Sequence, residues 1–416
     1  QADRAFMRTY FGLRLGLDAL AFGILLALVP LLQHANPHSP NLSAVLVVLT
    51  PTFFFSSLAQ VQETLARKQL AFRQLATTDV AAAVAMTVVA PALAWLGWGV
   101  WALVAEQVVG IAVRFLLLWG PFRKWTPALG WDGNVARWLW RYGKPTWAAS
   151  NMTYLLDRFD DFWIGTWLGE APLGLYSRAY EFAHYPRRLL ANPLVSVFAA
   201  VFAQLQDDRL RLSRAFARAA YVITRTSLVA AGGFALVLPE FIHFVIGDQW
   251  QPMLVTFWLM LIYAVLDPVL MLIHHLLLAT GHPQALQRAN FFQLLFFAPA
   301  VVLLGSLWGI NGVALAADGM LVLGVAVLYP TLKRLVDFST LRLLFQPLLV
   351  GGLALAAAWF LSMLAVQSLS LASVVLRLGL FAGLLLLGIA LLERDDLKAG
   401  VRELRSRVWV PSLHRA

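Results

Sequence analysis

Long apolar runs separated by short polar segments make up most of this chain. Each run is close to the roughly 20 residues that an α-helix needs to cross the hydrocarbon core of a bilayer. The pattern predicts twelve spanning helices, at residues 9–32, 44–60, 77–97, 99–119, 145–168, 172–196, 217–246, 253–279, 289–308, 312–332, 345–366 and 371–392. The predicted fold is therefore all-α and integral to a membrane.

Composition agrees with this prediction and excludes a soluble protein. Of the 416 residues, 60% are hydrophobic and only 13% are charged, which is too little polar surface to cover a water-soluble fold of this size. The chain contains no cysteine, which excludes disulfides and cysteine-based metal or redox sites.

Among the segments that connect the predicted spans, only alternate ones contain lysine or arginine. The other segments contain neither residue; they are 33–43, 97–99, 169–171, 247–252, 309–311 and 367–370. Since basic residues in short loops are retained on the cytoplasmic side, the first residues of the chain and the tail 393–416 are predicted to be cytoplasmic. The formal net charge of +10 is mainly this topology signal. Nucleic-acid binding is disfavoured because the basic residues are scattered and do not form one patch.

Residues 6–106 recur weakly, in order, about 210 positions later. Pro30 matches Pro239, the segment 96–99 matches 306–309, and Glu106 resembles Asp318 near the end of the match. A tandem repeat of helical spans predicts two pseudo-symmetric lobes of the same orientation, as in secondary transporters.

The repeat also predicts the domain organisation and a missing part. The spans at 145–168 and 172–196 have no partners in the first lobe, so we expect two further helices before Gln1 and fourteen in all. The predicted parts are a partial first lobe of four helices (1–120), a cytoplasmic linker with an interfacial helix (121–144), a second lobe of six helices (145–340), two extra C-terminal helices (341–392) and the tail (393–416).

An ordered set of short sequences resembles one transporter family. The set comprises Asn151–Leu155, Asp157-Arg158, Tyr176–Tyr180, Asn192–Leu194, Gln204–Asp207 and Gly247–Trp250. From residue 1 to about 340 the chain resembles the polysaccharide-transporter branch of the multidrug, oligosaccharidyl-lipid and polysaccharide flippase superfamily. The usual pattern of this family has two more helices at the amino end.

This resemblance implies a fold and a function. The fold is two helical lobes around a central cavity. The function is a flippase that moves an undecaprenyl-pyrophosphate-linked oligosaccharide from the cytoplasmic to the periplasmic leaflet of a bacterial inner membrane, by alternating access. The glycan would serve lipopolysaccharide O-antigen, capsule or exopolysaccharide. Membrane lipids, a polysaccharide polymerase and glycosyltransferases are implied partners, and a proton or sodium is an implied driving ion.

Charged residues within the predicted spans are the candidate site, because a charge at bilayer depth is costly unless it is paired or faces water. Two consecutive spans carry most of them: Asp157, Arg158, Asp160, Asp161, Arg178, Glu181, Arg187 and Arg188. Arginine is well matched to a pyrophosphate, which predicts substrate binding by Arg178, Arg188, Arg187 and Arg158. The carboxylates Asp157, Asp161 and Glu181 are candidates for coupling or gating.

Two alternatives remain for these charges. The stripe is formally neutral, so it could serve only to hold two helices together. Within the helices, spacing predicts that Arg158 pairs with Asp161 at i+3. Asp160 lies off the face shared by Asp157 and Asp161, and we expect it to be an interfacial charge near the periplasmic end.

Other candidates are single residues in other spans. Arg14, four residues before Asp18, is either half of an intrahelical pair or a substrate-binding charge of the first lobe. Glu106 and Asp318 occupy equivalent places in the repeat, which favours a shared gating or structural role. Asp267 lies within an apolar helix and should face the bundle.

Other function classes are less well supported. A cation-coupled drug or small-molecule antiporter of the same superfamily is the first alternative, and the mid-membrane arginines argue against it. A membrane enzyme acting on polyprenyl-linked sugars is the second, but the longest predicted periplasmic loop, 33–43, contains His34 and His38 and no acid. The sequence has no glycine-rich phosphate loop. We therefore expect no enzymatic activity, no cofactor and no metal site.

Overall fold

The computed structural model describes residues 2–35, 41–69, 71–365 and 370–392, and within these ranges the chain is helical with short connections. It divides into two compact units, Gln1–Trp147 and Ala148–Ala416, which are treated separately below. The cytoplasmic tail predicted at 393–416 lies outside the described residues.

The first unit is built on four long helices. They are α1 (Ala2–Ala35), α2 (Leu42–Lys68), α3 (Phe72–Trp95) and α4 (Val100–Trp119). Helix α2 packs against α1, α3 and α4, and α3 packs closely against α4. The unit also includes the first turns of α5 (Gly133–Trp163), so the boundary between the units falls within that helix.

The second unit has its core around α8 and α10. After α5 its helices are α6 (Glu170–Pro186), α7 (Asn192–Gln204), α8 (Arg209–Phe241), α9 (Met253–Leu259), α10 (Leu261–Ala279), α11 (Pro283–Leu335), α12 (Gln346–Ala365) and α13 (Leu371–Leu392). Helix α10 contacts α6, α7, α8, α9 and α11, while α12 and α13 pack on each other and on α8. Short π-helical stretches follow several helices, at Ile164–Leu168, Arg187–Ala191 and Ile242–Ile246.

The helices have the apolar length that a bilayer requires. Among the described residues, nine helices are long and apolar enough to cross a membrane. Helix α11 contains two of the predicted spans, which are separated at Gly309. Neither of the predicted spans 145–168 and 172–196 is among the nine. Both carry charges of the candidate site, and the second is divided into α6, a π-helical stretch and α7. The total of twelve spans stays a prediction.

Large apolar side chains cover the outside of the helices. Leu20 is 60% exposed, Val88 63%, Leu103 63% and Leu307 63%. In water such continuous apolar surfaces would drive association. The chain is therefore an all-α membrane protein whose main solvent is lipid.

The segment 133–143, for which the sequence predicts an interfacial helix, is helical. It forms the first turns of α5, and the helix continues without a break to Trp163. Since the backbone is helical through 143–145, the polar and apolar parts of this segment belong to one helix.

The sequence repeat is visible in the backbone. Gly99, which precedes α4, has φ 53° and ψ −125°, and Gly309, its match 210 residues later, has φ 59° and ψ −140°. This region of backbone space is readily accessible only to glycine. The two halves of the repeat thus use the same glycine-dependent turn between consecutive helices.

Candidate functional site

The predicted charges of the second unit lie on α5, on α6 and on the π-helical stretch Arg187–Ala191. On α5, Arg158 donates a hydrogen bond of 2.9 Å to Asp161, the i+3 pair that the spacing predicts. The side chain of Arg158 is 62% exposed. Asp157 is also exposed and lies within electrostatic range of Arg158 and Arg187. These side chains can contact a polar ligand or water.

Asp160 is buried, whereas the sequence predicted an interfacial charge at this position. It is only 4% exposed, and its carboxylate accepts a hydrogen bond of 2.6 Å from the hydroxyl of Tyr176 on α6. Tyr176 is itself completely buried. A hydrogen-bond partner on the next helix allows this carboxyl group to lie in the core. Its position in the sequence alone had suggested an interfacial site.

Glu181 joins two arginines of the predicted stripe. Arg178 donates to its carboxylate at 2.7 Å, and an Nη1 atom of Arg188 lies 3.6 Å from it. Both arginine side chains are 58% exposed. Two guanidinium groups share one carboxylate, so this cluster has a formal charge of +2 − 1 = +1. Both arginine side chains are therefore accessible to an anion.

Arg187 points to a different partner. Its Nη1 donates to both oxygens of Asp267, at 2.9 and 3.1 Å, and thereby joins the π-helical stretch to α10. Asp267 is 6% exposed and faces the bundle, as the sequence predicted. Adjacent residues on a helix point in directions about 100° apart, so Arg187 and Arg188 can have separate partners.

The sequence analysis missed a row of aromatic and histidine side chains beside this pair. The hydroxyl groups of Tyr180 and Tyr263 are 3.1 Å apart, and Tyr263 Oη is 3.4 Å from Nε2 of His184. That nitrogen is 4.0 Å from Asp267. The spacing of four residues between Tyr176, Tyr180 and His184 places them on one helix face, a signal that the sequence did contain.

The two carboxylates matched by the repeat lie in different units. Asp318, on the second half of α11, is 5% exposed, and neither of its carboxylate oxygens has a hydrogen-bond partner among the described residues. Glu106 is half-buried on α4. Their gating role stays a prediction.

Arg14 belongs to the first unit and is held by several groups. Its guanidinium donates to Ser57 at 3.0 Å, to Tyr10 at 2.8 Å and to Gln60 at 2.6 Å. It lies 3.7 Å from Asp18, which accepts from Ser57 at 2.5 Å. The expected intrahelical pair is thus part of a network that ties α1 to α2.

Outside the spans, the segment 247–252 contains one further ionic contact. Asp248 lies 2.6 Å from Nδ1 of His243 and accepts a hydrogen bond from Gln251. These contacts, the histidine first, hold the pKa of Asp248 below its usual value. Within the described ranges, no group of three or more His, Asp or Glu side chains is arranged to hold a metal ion.

Comparison with known sequences identifies relatives over most of the chain. Residues 1–255, more than half of it, match the family model described as "Polysaccharide biosynthesis protein". The lipopolysaccharide biosynthesis protein WzxC of Escherichia coli (strain K12) is 27% identical over 288 residues, which is 67% of this chain and 57% of that protein. The succinoglycan biosynthesis transport protein ExoT of Rhizobium meliloti (strain 1021) is 25% identical over 56% of this chain and 46% of its own length. The chain thus spans about half the length of these curated relatives.

Comparison with solved structures identifies the fold. The lipid II flippase MurJ, in an inward closed conformation, superposes with a TM-score of 0.72 over 92% of this chain and 84% of that one, at 14% identity. At this identity the likeness establishes the fold and leaves the substrate open.

Proposed function

Since the chain belongs to the polysaccharide biosynthesis protein family, we propose that it is a flippase for a lipid-linked oligosaccharide. The substrate is an oligosaccharide on undecaprenyl pyrophosphate. It moves from the cytoplasmic to the periplasmic leaflet of the bacterial inner membrane by alternating access, with both ends of the chain on the cytoplasmic side. The protein has no enzymatic role, and a polymerase and glycosyltransferases act before and after it. The names of the relatives, a lipopolysaccharide biosynthesis protein and a succinoglycan transport protein, support this substrate class.

The observation that carries the proposal is the pair of exposed arginines on Glu181. Arg178 and Arg188 share one carboxylate, so the pair keeps an uncompensated positive charge. A positive charge within a membrane span is costly unless it serves a polar ligand or pathway. A pyrophosphate has several anionic oxygens, and the planar fork of arginine binds two of them at once. Arg158 and Arg187 are proposed as further contacts for the anionic headgroup, and Arg14 is a separate substrate-binding candidate of the first unit.

The carboxylates of the same region are proposed to couple or gate transport. Asp157 and Asp161 flank Arg158 on α5, and Asp267 holds Arg187. Each of these contacts can open when a substrate anion competes for the guanidinium group. Such an exchange of partners would link the binding of the headgroup to a rearrangement of α5, α6 and α10.

The test is complementation of a flippase-deficient strain. Arg178→Ala and Arg188→Ala should each abolish glycan export, while Arg178→Lys and Arg188→Lys should restore part of it, because lysine keeps the charge and loses the bidentate fork. Arg211→Ala is the matched control, since Arg211 forms an exposed pair with Asp208 at the start of α8.

Membrane levels of every variant are compared by immunoblot. Normal export by both alanine variants would exclude the pair from the binding site and would leave the joining of helices as its role. Loss of export in the Arg211→Ala control would show that the assay reports general damage.

A further inference from the structure

One ring nitrogen of His184 contacts the backbone of its own helix, and the other faces the Arg187–Asp267 ion pair. Nδ1 lies 3.2 Å from the backbone carbonyl oxygen of Tyr180, one turn earlier. A carbonyl oxygen can only accept, so Nδ1 carries the hydrogen and Nε2 has the free lone pair. Nε2 lies 3.4 Å from the hydroxyl of Tyr263 and 4.0 Å from Asp267. An added proton can therefore bind only at the atom that faces Asp267.

In this structure, Arg187 already forms an ion pair with Asp267. Its guanidinium group contacts both carboxylate oxygens, and the charge of Asp267 is compensated. The His184 side chain is 13% exposed, and a positive ring would lie near Arg187 and Arg188. While Arg187 is in place, His184 therefore has no uncompensated carboxylate to pair with.

Three elements contribute titratable groups that lie near the ring or near Arg187. The π-helical stretch contributes Arg187 and Arg188, and α10 contributes Tyr263 and Asp267, with His274 two turns further on and also near Arg187. Helix α5 contributes Asp157, which lies near Arg187. Of these groups, Asp267 is the carboxylate that lies within reach of both the arginine and the histidine.

We propose that His184 Nε2 takes up one proton when the anionic headgroup of the substrate binds. When an anionic headgroup draws Arg187 away, Asp267 loses its partner, and His184 takes one proton from solvent and becomes the new partner. The charges balance: Arg187 compensates one negative charge of the ligand, and the imidazolium compensates Asp267. The inference rests on the proposed function and adds a proton-binding residue to that site, one that the sequence analysis did not select.

The linkage predicts that the ligand binds more tightly at lower pH. Binding that takes up one proton strengthens by up to about tenfold per pH unit over the range in which the site titrates. For the full chain in lipid nanodiscs, with undecaprenyl pyrophosphate as the probe, we expect affinity at about pH 6 to exceed that at about pH 8 by about tenfold or more. His184→Gln, which cannot be protonated, should bind at both pH values with the affinity of the wild type at the higher pH.

His275→Gln is the matched control for this variant. His275 makes the same kind of contact, from Nδ1 to the carbonyl oxygen of Met271 one turn earlier, in the same unit. This control should keep the full pH dependence. A pH dependence that His184→Gln retains would belong to the pyrophosphate itself and would overturn the inference.

A proton count tests the same point without any substitution. In weak buffer with a pH indicator, binding of undecaprenyl pyrophosphate to the wild type should remove about one proton per ligand from solution. Release of protons, or no change, would overturn the inference even if His184→Gln failed to fold. Failure of the wild type to bind the probe at any pH would instead contradict the proposed function.

Discussion

Arg377 of α13 donates a hydrogen bond of 2.7 Å to Glu240 of α8, and their side chains are 6% and 2% exposed. Ser373 also donates to Glu240, Ser362 accepts from Arg377, and the guanidinium group of Arg377 lies 4.5 Å from the centre of the Trp359 ring. A buried ion pair thus joins α13 to α8, and Ser362 and Trp359 of α12 contact the same arginine. Glycines at the same contact let the helices approach closely: Gly232 abuts Phe381, and Gly351 abuts Leu228.

Breaking this pair should destabilise the protein strongly. Removing one partner of a buried ion pair typically costs about 3–5 kcal/mol, because the other charge is left uncompensated. We expect Arg377→Met and Glu240→Gln each to lower the melting temperature of the purified protein, and the double variant to recover most of the loss. Arg209→Met is the control, since the Arg209–Asp337 pair is exposed and should contribute about 0–1 kcal/mol. If the double variant lost as much in melting temperature as the two single variants together, the two charges would not compensate each other.

The orientation predicted from the basic residues can be tested at the two ends of α8. Asp207 precedes this helix in an arginine-rich segment, and Gln249 follows it in a segment with no lysine or arginine; both side chains are exposed. The chain has no native cysteine. In intact cells, Gln249→Cys should react with an impermeant maleimide that reaches the periplasm, and Asp207→Cys should react only after lysis. The opposite labelling would reverse the orientation.

The matched glycines of the repeat should respond alike to substitution. Gly99 and Gly309 have positive φ, so alanine at either position should destabilise the protein by about 1–3 kcal/mol through backbone strain. Gly352→Ala on α12 is the control, because its added methyl group meets no neighbouring atom. It should be neutral or slightly stabilising by melting temperature. A neutral Gly309→Ala would show that this turn is not restricted to glycine.

Asp318 should tolerate loss of its charge for folding but not for transport. Its carboxylate is buried without a partner among the described residues, so Asp318→Asn removes the cost of a buried charge at nearly constant shape. We expect an unchanged or higher melting temperature together with export reduced by about tenfold or more, which is about 1.4 kcal/mol in transition-state free energy. Full export by Asp318→Asn would exclude a coupling or gating role, and Glu106→Gln extends the test to the first unit.

The spacing of residues along the sequence was sufficient to predict contacts within one helix. The i+3 spacing correctly predicted the Arg158–Asp161 pair, because helix geometry alone brings such side chains together. It failed for Asp160, since a position along a helix says nothing about a partner on the next one. Tyr176 supplies that partner.

The sequence by itself determined that the chain lies in lipid and that it consists of long apolar helices. It also determined the alternation of basic and non-basic segments and the family to which the chain belongs. These features follow from composition, from the length of apolar runs and from short motifs, which need no knowledge of packing. Only the tertiary structure decided which charges meet. Arg187 and Asp267 are 80 residues apart, and Arg377 and Glu240 are 137 apart. Each pair exists because two helices pack in one register, and no periodicity along either helix specifies that register.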